Sequence, residues 1–369
     1  IMKLNKFLQK IFKKFFQTLF RFFNGKIILN KNSDDLNLSV HEIDSLEIDK
    51  KFFDVKKKVY EIDDAKIYTD LVENVAIIKD KVLIKEISFQ QVDGELKDAQ
   101  YNKVLSEGTP RFLKKINGTV VSLVQGVSGI NYFHFLFDII TRLRLISHCI
   151  DLEKVDYFFL QGNAKWQVNV LKIFDIPESK LIDCNKYRHI QANKIFAVDH
   201  PWYKSGYFQY EVKNIPEWII YFLRNKFINT SKKIECSKKI FIDRSDSKFD
   251  HCKLINNDEI KNFLIEKGFE SYEISKLDFF EQVHLFKNAE IIISPHGAAL
   301  TNIIFSNSNL RLIEIIPKLH PSRKCERISK ILGFNYLRVE LENKISKSDQ
   351  IGDMEISKNS LEKILDNEL

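Results

Sequence analysis

Asn288-Ala-Glu-Ile-Ile-Ile-Ser-Pro-His-Gly-Ala-Ala-Leu-Thr-Asn302 reads as a strand, a tight turn and the opening of a helix. Ile291, Ile292 and Ile293 form an apolar, β-branched run, the pattern of a strand buried on both faces of a parallel sheet. Ser294, Pro295, His296 and Gly297 break that run, and residues 298–305 can begin a helix. A second buried strand at 312–316 is interrupted only by Glu314. Where a parallel strand passes into a helix N-terminus, unpaired N–H groups and the helix dipole point outward and favour an anion. Gly297, Ala298 and Ala299 are small enough for a phosphate to approach the backbone. An ordinary strand–helix turn with a capping serine has the same outline, so shape alone leaves both readings open.

Upstream, residues 119–124 read as a buried strand, a glycine-bearing turn follows at 125–130, and residues 131–150 form a long apolar helix. His134, Asp138 and Arg142 recur at i, i+4 and i+8 on one face of that helix. Ionisable groups in so apolar a setting need partners or a cleft. They either satisfy one another internally or line a cleft in which a carboxylate or an imidazole accepts a proton. His200, Pro201 and Trp202 follow a strand at 194–198 and are candidates for the rim. Further on, a strand at 240–243 ends in Arg244, a position that faces the ligand crevice of a parallel sheet and suits bidentate grip of phosphate. Asn256 to Glu259 initiate a helix, which capping by Asn explains.

The chain has 369 residues, enough for two domains of about 150–180 residues each. Its formal net charge of +7 suggests a polyanionic partner, but the distribution does not. Residues 1–26 hold seven basic and no acidic side chains, and without them fifty basic face fifty acidic ones. Nucleic acid is therefore not an expected partner. The five scattered cysteines form neither a disulfide framework nor a metal motif. There is no P-loop, no dinucleotide-binding glycine motif and no Asp-x-Asp in a strand–loop setting.

The N-terminal segment is amphipathic. Phe7, Ile11, Phe12, Phe15, Leu19, Phe20 and Phe23 mark one face, and Lys3, Lys6, Lys10, Lys13, Lys14 and Arg21 mark the other. About six turns at 3.6 residues each are too interrupted by charge to span a bilayer. An acid-free basic face opposite Phe and Leu fits a helix lying in the membrane interface and drawn to anionic lipids. Packing on the body, or on a second copy, is the alternative.

The segment from His296 resembles the signature of glycosyltransferase family 61. His296, Gly297, Ala298, Leu300, Thr301, Asn302, Phe305 and Glu314 match it, while Ala299 replaces a more usual glycine. The family's first motif is matched by Asn131, Tyr132, His134, Asp138 and Arg142, with Phe135 where tryptophan is common. Arg244 and Glu281 have counterparts in the same resemblance. It covers about residues 119–340 and implies a GT-B-type α/β architecture: two Rossmann-like domains facing across a cleft, in addition to the N-terminal amphipathic helix. The expected organisation is a membrane-associating helix at 1–26, an acceptor domain at 27–205 and a nucleotide-sugar donor domain at 206–350. A C-terminal helix at 351–369 would pack back on the first domain.

The implied function is inverting, metal-independent transfer of a sugar from a nucleoside diphosphate to a hydroxyl of a glycan or lipid-linked acceptor. No cofactor and no metal are expected, and a UDP-sugar is the favoured co-substrate. Asp138 is the first candidate for the general base and His134 the second. Arg244, His296, Gly297, Ala298 and Asn302 would hold the donor, Glu314 would accept ribose hydroxyls, and Asn131, Arg142 and Glu281 would support the site. A lipid-linked acceptor and a basic surface helix point to bacterial capsule, lipopolysaccharide or O-antigen synthesis on the cytoplasmic face of the inner membrane. The competing readings are a sugar-nucleotide epimerase of the same architecture and a non-catalytic membrane-bound assembly protein.

Overall fold

The computed structural model describes residues 2–29, 36, 38–69, 74–92, 94–124, 131–162, 164–203, 205–245, 251–345 and 351–368. The glycine-bearing turn expected at 125–130 lies outside them. The chain divides into two compact units, one of Ile1–Glu47 and Phe52–Phe208, the other of Ile48–Lys51 and Gln209–Leu369. Both are mixed α/β.

The first unit is built on a twelve-stranded sheet. Leu181–Asp183, Tyr157–Leu160, Lys114–Ser122 and His189–Val198 are adjacent and parallel. The sheet then turns antiparallel at the eighteen-residue strand Lys51–Tyr68 and continues through Asn74–Lys79, Phe89–Val92 and Glu95–Lys97. The Rossmann-like first domain is thus corrected to a short parallel core joined to an antiparallel meander. The physical reason lies in two tight turns. Asp49 and Lys50 (φ 50° and 62°) join Ser39–Ile48 to Lys51–Tyr68, and Asp80 and Lys81 (φ 48° and 65°) join Asn74–Lys79 to Val82–Leu83. Two successive left-handed residues match the twist of a hairpin and return the chain antiparallel. In the parallel part, Lys114–Ser122 and His189–Val198 are neighbours, so the segments leaving their carboxyl ends are brought together.

The second unit has a five-stranded parallel sheet ordered Glu270–Glu273, Lys239–Asp243, Ile291–Pro295, Arg311–Pro317, Asn335–Leu341. In chain order this is 2-1-3-4-5, a doubly wound sheet whose order reverses between its first and third strands. Phe241, Ile293, Ile313 and Ile315 pack on one face, against helix Asn257–Glu266. Ile292 and Ile240, at alternating positions, are also fully buried, so the sheet is covered on both sides as the isoleucine run requires. The final helix, Lys358–Glu368, belongs to the second unit. Its Leu361 and Leu365 are buried in the second unit's core with Phe241 and Leu264, and Lys267 pairs with Glu362 at 2.5 Å.

The N-terminal helix runs over Met2–Asn24, about 34 Å at 1.5 Å per residue. Gly25 ends it in the left-handed conformation (φ 77°) and returns its N–H to the carbonyl of Arg21. Phe20 is buried edge-on against Phe112 with ring centroids 5.0 Å apart. Phe12, Phe15, Phe22 and Phe23 are 61–83% exposed. Among the described residues, no helix is long and apolar enough to cross a membrane.

Candidate active site

Chemistry-bearing side chains gather at the carboxyl ends of parallel strands in each unit. In the first, Asn131 caps the helical run that carries His134 and Asp138, its Oδ1 accepting from the N–H groups of Phe133 and His134. The run passes through a π-helical segment, Phe135–Ile140, before continuing as Thr141–Ile146. Such segments are rare and concentrate at functional sites. Asp138 is fully buried, and both its oxygens are engaged. His134 Nδ1 lies 2.7 Å from Oδ2, and Trp202 Nε1 donates to Oδ1 at 2.6 Å. Burial opposes ionisation of Asp138, but the nearby His134 and the hydrogen bonds from His134 and Trp202 hold its carboxyl below the usual carboxylate range. A carboxylate only accepts, so Nδ1 of His134 is the protonated nitrogen. Nε2 of the same ring then carries a lone pair, and it is buried with no hydrogen-bond partner.

His200 stands on the other side of Asp138, its Nε2 3.9 Å from Oδ2. Its Nδ1 accepts from the N–H groups of Trp202 and Tyr203, so in the neutral ring the proton sits on Nε2. Burial pushes the His200 imidazole well below its ordinary range and keeps it neutral. Arg142 donates from Nη1 to the Val124 carbonyl at 3.0 Å and lies over the Phe89 ring. Burial lowers it to about 10, so it remains cationic near neutrality.

In the second unit, Arg244 follows strand Lys239–Asp243 and His296 follows strand Ile291–Pro295, the adjacent pair at which the sheet order reverses. Gly297 is extended (φ 178°), so the left-handed freedom of glycine is not what the turn uses. A Cβ on Gly297 would instead overlap the guanidinium of Arg244. Lys324, at the start of helix Lys324–Leu332, donates to the Gly297 carbonyl at 3.1 Å and to Thr301 Oγ1 at 3.4 Å. Two cations that are less than 10% exposed therefore border one turn. Burial lowers the Lys324 ammonium from its ordinary value. Ala298 and Ala299 open a 3₁₀ helix, Ala298–Phe305, and the first N–H groups of a helix have no acceptor within it.

Glu314 does not serve as an open acceptor. Its Oε1 bonds His296 Nδ1 at 2.6 Å and receives the Cys325 thiol at 3.4 Å, and its Oε2 accepts from the Tyr336 hydroxyl at 2.6 Å. It is 1% exposed. Although burial raises it, the neighbouring His296 and the hydrogen bonds from His296 and Tyr336 hold it at about 2. These contacts orient His296, and a ribose hydroxyl would have to displace one of these donors to reach Glu314. The His320 ring lies 4.2 Å from that of His296, and burial, followed by the charge of His296, lowers it to about 2.

The structure gives two sequence candidates an architectural place. Asn302 Nδ2 donates to Gln282 Oε1, and Gln282 in turn holds the carbonyls of Ile274 and Leu277. Glu281 closes a capping box with Asp278 and pairs with Lys232 at 2.6 Å. Sequence reasoning missed Tyr203, Lys324, Tyr336 and His320. A lysine opening a helix reads as solvated, and only the strand register brings Tyr336 beside Glu314. Among the described residues, no group of three or more His, Cys, Asp or Glu side chains could hold a metal ion.

Residues 132–313 match a protein-family model described as Glycosyltransferase 61. That segment holds His134, Asp138, Arg142, Arg244, His296 and Gly297, and Glu314 is the next residue beyond it. The chain is also similar to the EGF domain-specific O-linked N-acetylglucosamine transferase of Gallus gallus, with 27% identity over 106 residues, 27% of this chain and 20% of that protein. The match therefore spans a fifth of that relative's length.

Gly297→Ala should cost about 1–3 kcal/mol as an overpacked site. Combining it with Arg244→Ala should recover most of that loss, because removing the guanidinium frees the space; a double-mutant cycle in denaturant reads this directly. Acidification should weaken the second unit. Burial lowers His251 to about 4 and His320 to about 2, and also lowers His296, while Glu314 is held at about 2. On acidification the unfolded chain takes up protons that the folded chain refuses, from about 6.5 for the histidines and 4.5 for Glu314. Stability is thus fully present above pH 6.5 and is lost towards pH 2. His320→Asn keeps an acceptor for the Ser322 N–H and should make that decline shallower in denaturation midpoints measured across pH.

Proposed function

Residues 132–313 place this chain in glycosyltransferase family 61 and make it a transferase, and from that premise we propose inverting sugar transfer from a nucleoside-diphosphate donor to an acceptor hydroxyl, with His134 as general base. The observation that carries the mechanism is the unpartnered, buried Nε2 of His134, whose Nδ1 is tied to Asp138. This is the geometry of a base oriented by a carboxylate. The acceptor O–H gives its proton to Nε2 as its oxygen bonds to the anomeric carbon, and the bond from that carbon to the diphosphate oxygen breaks. The imidazolium is stabilised by Asp138, which stays ionised. Asp138 is the first choice on sequence, but both its oxygens are already engaged, which favours His134.

Negative charge develops on the departing diphosphate. Arg244, Lys324 and the first N–H groups of Ala298–Phe305, at the reversal of a doubly wound sheet, are suited to neutralise it without metal. A UDP-sugar is the favoured donor, and the GT-B-type architecture belongs to the same proposal. The chicken relative's name denotes an O-linked transfer, which supports a hydroxyl acceptor. The exposed phenylalanines of Met2–Asn24 and its basic sequence support peripheral binding to an anionic membrane. That in turn supports a lipid-linked acceptor in bacterial surface polysaccharide synthesis, on the cytoplasmic face of the inner membrane.

Nucleotide release from a panel of sugar nucleotides, with and without membrane-extracted acceptor, tests the reading. His134→Ala and Asp138→Asn should each lower acceptor-dependent turnover by about 10²–10⁴-fold with little change in nucleotide affinity. Lys324→Met should weaken nucleotide binding on the order of tenfold, and EDTA should change neither. Full turnover in His134→Ala would sink the mechanism. Phe15→Asp combined with Phe22→Asp should abolish co-sedimentation of the chain with vesicles containing anionic phospholipid, while neutral vesicles should bind weakly even the unaltered chain.

A further inference from the structure

The first unit contains a cavity of about 600 Å³ that the proton chemistry does not use. Its wall carries Lys56, Lys57 and Lys58, three consecutive residues of one strand. In a regular strand, successive side chains point to opposite faces. Here Lys56 is left-handed (φ 48°), and this break in the pleat is what lets neighbouring lysines serve one cavity. Lys85 and Lys97 also line it, together with the carboxylates of Glu86, Asp98 and Asp199; the lysines hold ion pairs of their own, Lys56 with Asp54, Lys58 with Glu42, Lys85 with Glu86 and Lys97 with Glu95, which an entering anion would share.

The interior is different in kind. Glu86 Oε2, His200 Nε2 and the Tyr203 hydroxyl are buried polar atoms without a hydrogen-bond partner, and all three residues line the cavity. His200 is 6% and Tyr203 3% exposed. Leaving such groups unsatisfied is costly, so a native site that keeps three in one wall is built to receive something polar. They offer one acceptor, one donor and one group that is both, which is the requirement of a ligand rich in hydroxyls. Phe89 adds an apolar surface for the C–H side of a sugar ring. His200 also stands beside Asp138, its Nε2 3.9 Å from Oδ2, so one residue of the cavity wall touches the His134–Asp138 pair, although neither member of the pair lines the cavity.

We propose that this cavity binds an acidic glycan, a short saccharide bearing a carboxylate or a phosphate, with its hydroxyls at His200, Tyr203 and Glu86 and its anionic group at the lysines. Its assignment as the acceptor rests on the transferase mechanism above; its binding chemistry does not.

The test is calorimetric titration of the full chain with trigalacturonic acid, its carboxyl-reduced neutral counterpart and galactose 6-phosphate. The uronate, the phosphate or both should bind at least tenfold more tightly than the neutral saccharide, and which of them does identifies the anion. Lys56→Glu combined with Lys97→Glu should erase that preference while thermal unfolding stays cooperative, with a lowered midpoint because each lysine pairs with a neighbouring carboxylate, Asp54 and Glu95. Tyr203→Phe should weaken all three saccharides several-fold. Equal binding of acidic and neutral saccharides, absence of binding by any of them, or a preference that survives the charge reversal would overturn the proposal. Nucleotide release measured in parallel separates the two ideas. Persistent turnover without an acidic preference defeats the cavity assignment alone, whereas an acidic preference without turnover supports the cavity and defeats the transfer mechanism.

Discussion

A carboxylate taken out of water costs several kcal/mol unless its lone pairs are answered, and two of this chain's buried carboxylates answer them in the same way. Asp138 and Glu314 are both essentially inaccessible, and each holds the Nδ1 of a histidine. Each also takes a second donor on its other oxygen, the Trp202 indole for Asp138 and the Tyr336 hydroxyl for Glu314. The arrangement fixes a tautomer and a ring orientation at the same time. It also dictates fold details that would otherwise look arbitrary: the π-helical segment around Asp138, the aromatic segment after His189–Val198, and the register that sets Tyr336 beside Glu314.

The topology explains why these groups sit where they do. Parallel strands deliver their carboxyl ends to one edge of a sheet, and the reversal of strand order leaves two of those ends free of a crossing connection. In the second unit the two ends are Asp243 and Pro295, so Arg244 and His296 are the first residues past them. Gly297 is needed because the Arg244 guanidinium occupies the space a side chain would fill, although its extended backbone is open to any residue. The small residue after His296 therefore makes room for a protein cation as well as for a ligand.

How much of this was legible follows from what each pattern encodes. Three isoleucines in a row announce two-sided burial, and the strand Ile291–Pro295 lies at the centre of its sheet. His134 and Asp138 four apart on an apolar helix announce a side-chain pair, and they bond at 2.7 Å. The meander of the first unit was opaque because two of its hairpins use Asp49-Lys50 and Asp80-Lys81, and only the turn between Phe89–Val92 and Glu95–Lys97 carries a glycine, Gly94. Lysine pays a steric penalty there, so its presence gives no warning of a left-handed residue. Glu314 stands out in the sequence as a carboxylate within an apolar strand, but sequence cannot tell whether such a group faces solvent or three protein donors. Lys324 and Tyr336 depend on contacts across 23 and 22 residues and leave no local trace.

The two buried pairs are alike in geometry and differ in what surrounds them. Around Asp138 the neighbouring imidazole, His200, is kept neutral by burial, and His134 presents an unpartnered nitrogen. A proton placed on the unpartnered Nε2 of His134 would be stabilised by the carboxylate of Asp138, which already holds Nδ1. Around Glu314, burial chiefly disfavours protonation of His296, and the charges of Lys324 and Arg244 add to it. With its Nδ1–H on Glu314, an unprotonated His296 presents only a lone pair at Nε2, so recognition of an anion at this turn falls to Arg244 and Lys324. The same histidine–carboxylate unit therefore stands beside a partner-free imidazole nitrogen in one case and beside two buried cations in the other, and it is these neighbours that distinguish the two settings.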